Sequence, residues 1–453
     1  MLQIVNFSSN KKAKLFTKCN HGLIIGGNKS GKSTLLQVLA EEYSKLGIPV
    51  IACDSTARLT GLVAKVDDNY ETLSKFPVRV FDPIEKSGIP LNTSISELGP
   101  TLLARMLDLT PTQKGVLSIC FAIADDNNLL INNFDDLRTI LLHLKQSSEN
   151  YELDYGYAST RSIGAIQRKL LSYEQSNLDQ FFRLPSIDVA DFFGIENGLG
   201  LINLISLEKV KNHSLIYSTL IIFILSSLYN NLSRTNNLKA VVLIDNASHL
   251  FDNIDKDLSD KLSLIISDLT KKGISVYFSL NSTSKINKYI SKELVNKIFL
   301  PLNSYSKKQK RTIKKICNEI PTKNFESTYK DLLNLEKGQA IVSLVGEDNL
   351  RQNTALIKIK KPESKLGRVS TSLIYSLPNQ SDLVDKYSKR VKYKLEIPKE
   401  LVEDDSKKKK DFSKSVIENT LTTAAKTFGR YLGNSLARNL VDMLETKIES
   451  FDE

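Results

Sequence analysis

The chain contains 453 residues, which suffices for one large α/β core with insertions or for more than one domain. A hydrophobic share of 41%, a charged share of 25% and 12 prolines exclude fibrous and largely disordered proteins and indicate a sizeable buried core. The formal net charge of +11 favours phosphate backbones or anionic lipid as partners, but the Lys- and Asn-rich bias of an AT-rich genome explains a basic surface equally well.

The cysteines and the N-terminal residues indicate where the protein works. Cys19, Cys53, Cys120 and Cys317 lie far apart and form no CxxC pair, so neither a zinc site nor a disulfide framework is predicted. The first 16 residues lack the basic, apolar and small-residue order of a signal peptide. We therefore expect a cytoplasmic protein.

The first clear pattern along the chain is a βαβ unit. Residues 21–25 (HGLII) predict a buried strand that runs into a Gly-rich turn. Apolar residues then recur at helical spacing over 33–45, and Gly47 supplies the stop. Residues 50–54 (VIACD) predict a second buried strand.

The turn of this unit carries a phosphate-binding motif. The sequence GGNKSGKS fits the pattern GxxxxGK[ST] and lies between a strand and a helix, as the motif requires. Backbone N–H groups of such a loop surround the phosphates, while Lys32 spans the terminal phosphates and the Ser33 hydroxyl ligates Mg²⁺. The other interpretation is a Gly-rich turn with an exposed lysine. The predicted ATP-binding residues here are Gly26, Gly27, Asn28, Lys29, Ser30, Gly31, Lys32, Ser33 and Thr34.

Helical patterns dominate the next part of the chain. A strand predicted at 78–81 is followed by helical spacing over 96–182, which indicates an inserted helical subdomain. One helix start is clear, because Thr110 is an N-cap residue, Pro111 suits the first helical position and Gln113 completes a capping box.

Strand patterns then resume and predict a mostly parallel sheet. Apolar runs at 199–205, 241–245, 274–280 and 298–302 alternate with helical segments. Two further runs flank a turn at 346–349 and predict an edge hairpin. These runs are 340–345 and 355–359.

One apolar run raises the question of a membrane. Residues 214–229 (SLIYSTLIIFILSSLY) contain four serines and fall short of the ~20 apolar residues that a membrane-spanning helix needs. A buried helix and a membrane span are both open interpretations, and we favour the buried helix. No integral membrane segment is therefore predicted.

A second element of the nucleotide site is predicted at Asp245. Mg²⁺ held by one hydroxyl and phosphates requires a carboxylate at the end of a neighbouring strand, and Asp245 ends the run KAVVLID. The alternative is an aspartate that only ends a strand at a turn. The next residue is Asn246, whose amide can orient a water molecule but cannot accept its proton.

The C-terminal part differs in composition. Residues 403–411 (EDDSKKKKD) have no apolar residue to pack and predict a linker, while 412–453 regain helical spacing and predict one or two amphipathic helices. Gly429 and Gly433 lie one turn apart there, so another backbone could approach closely, although a plain docking helix is the simpler interpretation.

Together these segments resemble bacterial ATPases of the HerA/FtsK type, and most closely the YjgR-like branch of HerA-like helicase proteins. The likeness extends over nearly the whole chain, including the segment around the Gly-rich turn, the run SELGPTLLARMLDLTPTQKGVLSICFAIADD and the sequence DNASHLF. It implies an α/β fold with a RecA-like P-loop core, ATP as ligand, and a homo-oligomer that is a hexameric ring. It also implies movement on DNA, with Lys32 and Ser33 gripping phosphate and Mg²⁺ and Asp245 as the acid associated with Mg²⁺.

Several residues depart from the family pattern where hydrolysis would take place. Asn246 stands where the family has its catalytic glutamate, and Asn281 stands where it has a sensor glutamine. We take these two asparagines as the candidate catalytic positions.

Two further departures concern charged residues. Asp54 is followed by residues 55–58 (STAR) where the family shows a lysine and a second acid. Lys297 and Asn303 stand where arginines are expected, so the sequence does not predict an arginine finger at a subunit interface.

The sequence therefore leaves two functions open. One is an ATP-driven DNA translocase or helicase-like ring with weakened hydrolysis, and the other is a nucleotide-gated structural or assembly protein without motor activity. The predicted organisation is a RecA-like core in two parts (1–95 and 186–361), a helical insertion (96–185), a linker (362–411) and a C-terminal amphipathic helix (412–453).

Overall fold

The computed structural model describes most of the chain. The described residues are 2–3, 14–15 and 19–397, apart from 68–69, 85–87, 148–150, 153–154, 252–253, 282–285, 287, 303–306, 319, 321–324, 347–353, 378–380 and 390–394. The predicted C-terminal helix at 412–453, residue Asn303 and most of the turn at 346–349 lie outside these residues.

Sixteen strands are assigned within the described residues. They are β1 Leu2–Gln3, β2 Lys14–Leu15, β3 Gly22–Ile25, β4 Val50–Asp54, β5 Ala64–Asp67, β6 Tyr70–Leu73, β7 Val78–Asp82, β8 Ile89–Pro90, β9 Ile195–Glu196, β10 Leu199–Gly200, β11 Ile202–Ser206, β12 Ala240–Ile244, β13 Ile274–Leu280, β14 Asn296–Phe299, β15 Gln339–Ser343 and β16 Ala355–Lys358.

Thirteen α-helices are assigned within the same residues. They are α1 Lys32–Lys45, α2 Ile95–Met106, α3 Pro111–Asp126, α4 Phe134–Gln146, α5 Thr160–Gln175, α6 Ser214–Asn231, α7 Ser248–Phe251, α8 Lys256–Lys271, α9 Lys288–Glu293, α10 Lys307–Asn318, α11 Phe325–Leu333, α12 Thr371–Tyr375 and α13 Ser381–Ser388.

Ten of the strands form one large sheet, in the order β16-β15-β14-β3-β13-β12-β4-β11-β7-β8. The strands from β14 to β8 run parallel, whereas β15 and β16 are antiparallel and close one edge as the predicted hairpin. Strands β3, β4 and β12 are buried along their whole length, as expected for a parallel sheet that is covered on both faces. The carboxyl ends of β3, β13, β12 and β4 therefore lie side by side.

The chain divides into two compact units. The first comprises Met1–Pro90, Asp188–Ile221 and Leu232–Asp385 and contains the large sheet. The second comprises Leu91–Ile187, Ile222–Asn231 and the residues from Lys386 onward. The boundaries of these two units differ in kind from the segment boundaries inferred from the sequence. The five predicted segments therefore stay a prediction.

In the first unit, α1 packs against the sheet mainly through apolar residues. Leu35, Val38 and Leu39 of α1 are inaccessible to solvent and belong to a core cluster that includes Ile24 and Ala52 of the strands. The same helix also buries polar residues, which apolar spacing does not predict.

Those polar residues bind a segment that the sequence interpretation placed in the linker 362–411. The Glu41 carboxylate, fully buried, accepts hydrogen bonds from the backbone N–H groups of Glu363 and Ser364 at 2.9 Å each. Gln37 donates to the Ser364 hydroxyl and to the Lys365 carbonyl oxygen. This segment is held by polar bonds, so it is packed although apolar spacing does not predict it.

The second unit is helical, and its helices begin at defined caps. Thr110 and Gln113 exchange the side-chain and backbone bonds of a capping box at the start of α3, with Pro111 at the first position, as predicted. Ser94 and Glu97 form another capping box at α2.

The apolar run at 214–229 forms helix α6. By length and composition it could cross a membrane, but 67% of its residues are buried inside the protein. That burial is typical of a core helix, which is the interpretation favoured from the sequence.

Candidate functional site

The Gly-rich turn follows β3 and is anchored to the strands on either side. The N–H of Gly26 donates to the Leu280 carbonyl at the end of β13, and the N–H of Gly27 donates to the Pro301 carbonyl just beyond β14. A Cβ atom on Gly26 would lie 2.3 Å from the Ser30 hydroxyl oxygen and 2.9 Å from Leu300 Cβ, so only glycine fits there.

The rest of the turn exposes backbone donors at the start of α1. Lys29 and Gly31 adopt left-handed conformations with φ angles of 60° and 100°. Within residues 26–45, all of which are described, the N-cap Gly31 offers no capping side chain and the first turn of α1 has no acidic residue. Its first N–H groups therefore have no side-chain acceptor, which makes this helix start a strong site for an anion.

The Lys32 ammonium lies inside the mouth of the turn. It donates to the carbonyl oxygens of Gly26 and Gly27 at 2.7 and 2.8 Å and to Oδ1 of Asn281 at 3.1 Å. Burial lowers the pKa of Lys32, while the nearby Asp245 carboxylate raises it. A phosphate that binds Lys32 would replace at least one of its three acceptors.

Asp245 directly follows β12 and faces the start of α1. Its Oδ2 atom lies 3.5 Å from the Ser33 hydroxyl and 3.2 Å from the Thr56 hydroxyl. Asp245 is almost fully buried, and this burial raises the pKa of its carboxyl group, while the hydrogen bond from Thr56 lowers it. Adjacent oxygens in an octahedral Mg²⁺ shell are about 3 Å apart, so the Ser33 and Asp245 oxygens, at 3.5 Å, are near enough for one metal ion to bind both after a small approach or through a water molecule.

A second carboxylate, Asp54, lies at the end of the neighbouring strand β4, but its oxygens are used structurally. Oδ1 accepts from the N–H of Thr56 at 2.9 Å, and Oδ2 accepts from the N–H of Leu59 at 2.8 Å. Burial and the charge of Asp245 raise the pKa of Asp54 to about 6. Asp54 therefore acts as a clamp on the turn 55–58.

The two candidate catalytic asparagines occupy different positions at this edge. Asn281 follows β13 and binds Lys32, whereas Asn246 follows Asp245 with a left-handed φ of 55°. Among the described residues the Asn246 side chain has no hydrogen-bond partner. Left-handed backbone is tolerated by Asn better than by most residues, so the backbone itself favours Asn at this position.

The structure brings the predicted residues of the turn, Asp245 and both asparagines to one edge of the sheet. Sequence reasoning missed the contact of Thr56 with Asp245 and the clamp formed by Asp54. The only sequence signal for this turn was the departure of residues 55–58 from the family pattern.

Comparisons with known proteins match this architecture. A family model described as helicase HerA-like C-terminal (HerA_C) matches residues 4–439. No curated protein matches the chain.

Solved structures of a plasmid coupling protein are similar in fold. The bacterial conjugative coupling protein TrwBdeltaN70 in an unbound form has a TM-score of 0.52 and 15% identity, over 78% of this chain and 88% of that chain. TrwB with the ATP analogue ADPNP has a TM-score of 0.53 and 14% identity, over 78% and 88% of the two chains. TrwB with ADP and Mg²⁺ has a TM-score of 0.52 and 14% identity, over 80% and 92%. These likenesses confirm the predicted α/β, RecA-like P-loop fold.

Proposed function

The chain belongs to the helicase HerA-like C-terminal family, and on that premise we propose that it is an ATP-binding P-loop ATPase of the translocase type with weakened hydrolysis. One observation carries the proposal. The uncapped start of α1, the Lys32 ammonium and the Ser33–Asp245 pair converge at the carboxyl edge of the parallel sheet. The closer relationship to the YjgR-like branch stays a prediction.

The residues have separate roles in this proposal. Backbone N–H groups of residues 26–34 surround the phosphates, and Lys32 compensates the charge of the terminal ones. Ser33 and Asp245 hold Mg²⁺, directly or through water. The metal, when bound, polarises the phosphates and neutralises their charge. TrwB, whose fold the chain shares, has been solved with an ATP analogue and with ADP and Mg²⁺, which supports the same ligands here.

The proposal of weakened hydrolysis rests on the residue after Asp245 and on the roles of the two nearby carboxylates. Asp54 is buried and accepts hydrogen bonds from the backbone N–H groups of Thr56 and Leu59 on its two oxygens, so its role at this edge is to hold the turn. Asp245 faces Ser33 and Thr56, where the metal is proposed. The position after Asp245 is an amide, and a missing general base typically costs ~10² to 10⁴ in rate.

That same observation favours a second candidate function. If turnover is negligible, ATP binding could order an oligomer without driving movement, as in a nucleotide-gated structural or assembly protein. Both functions share the nucleotide site and differ in whether hydrolysis responds to DNA.

Further parts of the proposal rest on the family and on the sequence pattern. We propose a homo-oligomer in the form of a hexameric ring, DNA as the partner of the motor, and a cytoplasmic location. Light scattering over a concentration series with ATP and Mg²⁺ tests the ring, and a strict monomer at every concentration would contradict it.

The decisive experiment measures ATP binding and ATP hydrolysis with and without double-stranded DNA. Binding of ATP with Mg²⁺ by wild type supports the site, and its absence would refute it. Slow hydrolysis that DNA stimulates supports the translocase, whereas binding with no DNA response supports the structural alternative. Lys32→Ala is the control: it should lose both ATP binding and ATP hydrolysis, and hydrolysis that remains in this variant would come from a contaminating ATPase.

A further inference from the structure

A tightly held turn presents one cation next to the nucleotide site. After β4 the chain turns through residues 55–58, and Ala57 adopts a left-handed φ of 56°. Such a backbone is uncommon for alanine and costs roughly 1 kcal/mol, so the surroundings must enforce it. Here the enforcement comes from Asp54, which binds the N–H groups of Thr56 and Leu59 on either side of Ala57.

The turn is also fixed to the site itself. The Thr56 hydroxyl lies 3.2 Å from Oδ2 of Asp245 and 3.3 Å from Oδ1 of Asp54, so it bridges the ends of two adjacent strands. Arg58 lies two residues further along the same turn and is exposed to solvent.

The charge of Arg58 reaches both ends of the site. Burial lowers the pKa of Lys32, and the charge of Arg58 adds to this shift; burial raises the pKa of Asp245, and the charge of Arg58 opposes that shift. Among the described residues, however, Arg58 has no hydrogen-bond or ion-pair partner. Arg58 is thus a cation on a turn that is fixed to the site, and its guanidinium donors have no partner in the described part of the chain, so it is suited to bind phosphate oxygens.

The order of the strands indicates which phosphate of a bound nucleotide Arg58 would contact. Going from β3 through β13 and β12 to β4, the carboxyl edge presents Lys32, Asn281, Asp245 and then the turn with Arg58. A nucleotide bound in this turn would place its inner phosphates over the start of α1, so a phosphate that extended past Asp245 toward β4 would be the outermost one.

We propose that Arg58 binds the terminal phosphate of a nucleoside triphosphate, and that it makes the site prefer a triphosphate to a diphosphate within a single subunit. This inference rests on the proposed nucleotide function. The family pattern has arginines where this chain has Lys297 and Asn303. Arg58 would supply a guanidinium group to the site from the same chain instead.

The test is the ratio of two affinities, measured by calorimetry with Mg²⁺ for ADP and for a non-hydrolysable ATP analogue. Arg58→Ala should weaken binding of the analogue about tenfold or more, the range for a hydrogen bond to a charged group, and change ADP binding less than about twofold. Arg58→Lys, which keeps the charge but loses the planar donor fork, should retain part of the preference. Arg234→Ala removes another exposed arginine of the same unit and should change neither affinity.

The outcomes are separable. Equal weakening of both ligands by Arg58→Ala, or no change in either, would overturn the proposal, and the melting temperature of each variant shows whether the fold is kept. If wild type binds neither ligand, the nucleotide function fails and this inference fails with it. If wild type and Arg58→Ala bind both ligands with the same ratio, only the role of Arg58 fails.

Discussion

The Ser33 hydroxyl and the Asp245 carboxylate lie 3.5 Å apart although 212 residues separate them in the sequence. Ser33 is placed by the start of α1 and Asp245 by the end of β12, which is separated from the P-loop strand β3 by one intervening strand. Because both elements belong to the rigid core, a metal site made from these two oxygens would be preorganised.

Removal of the Lys32 ammonium should eliminate ATP binding. In Lys32→Ala the phosphate charge is uncompensated inside the turn, and we expect a loss of affinity of roughly 100-fold or more. Calorimetric titration with ATP and Mg²⁺ measures it, with Lys256→Ala on the exposed face of α8 as the control. Tight ATP binding by Lys32→Ala would contradict the assignment of the site.

The Ser33 hydroxyl should matter mainly when the metal is present. Ser33→Ala is expected to weaken ATP binding in Mg²⁺ about tenfold more than in EDTA, because the hydroxyl ligates the metal. Ser33→Thr keeps a hydroxyl and should restore the dependence on Mg²⁺. An equal loss in Mg²⁺ and in EDTA would show that Ser33 acts without the metal.

His21, at the start of the P-loop strand, should make the fold sensitive to acid. Its Nδ1 accepts a hydrogen bond from the Val276 N–H at 2.9 Å, so Nε2 carries the proton and donates to the Ile266 carbonyl at 2.6 Å. Burial lowers the pKa of His21 from 6.5 to about 4. The neutral ring is thus the form that the fold requires.

The sign of the effect follows from linkage. Below pH 6.5 the His21 side chain takes up a proton in the unfolded chain but not in the folded one. The contribution of His21 to the free energy of unfolding therefore falls as the pH drops from about 6.5 to about 4, by up to about 3 kcal/mol. The buried Asp54, with its raised pKa, acts in the opposite direction over a similar range. The measurement is therefore the difference in unfolding free energy between wild type and His21→Asn, which should shrink as the pH falls. His213→Asn is the control, because His213 is exposed to solvent. If the difference between wild type and His21→Asn stays constant with pH, the prediction is wrong.

Much of the fold and of the site could be predicted from the sequence because the signals are local. The strand at Val50–Asp54, the strand at Ile274–Leu280 and the cap at Thr110 match their predicted positions, since apolar runs and capping residues act over a few residues. The turn around Thr56 could not be predicted, because its contact with Asp245 joins polar atoms that are 189 residues apart. The buried bonds of Glu41 to the segment at 363–364 escaped prediction for the same reason.

The structure also changes how the position after Asp245 has to be tested. Asn246→Glu would introduce the carboxylate that general-base catalysis needs, and it should raise ATP turnover while leaving nucleotide affinity nearly unchanged, because a base acts on the transition state. However, the left-handed φ of 55° at Asn246 costs a glutamate about 1 kcal/mol more than it costs an asparagine. The matched control is Asn246→Gln, which has the same backbone cost and side-chain length but no carboxylate.

Single-turnover hydrolysis of bound ATP, with and without DNA, compares wild type, Asn246→Glu and Asn246→Gln. We expect faster hydrolysis in Asn246→Glu alone, with Asn246→Gln no faster than wild type and both variants equally reduced in melting temperature. The gain will be small if Asn281 and the missing interface arginine also limit the rate, because groups that act together are strongly non-additive. Wild type that already hydrolyses several ATP molecules per second would refute weakened hydrolysis, and the translocase would then be the function without qualification.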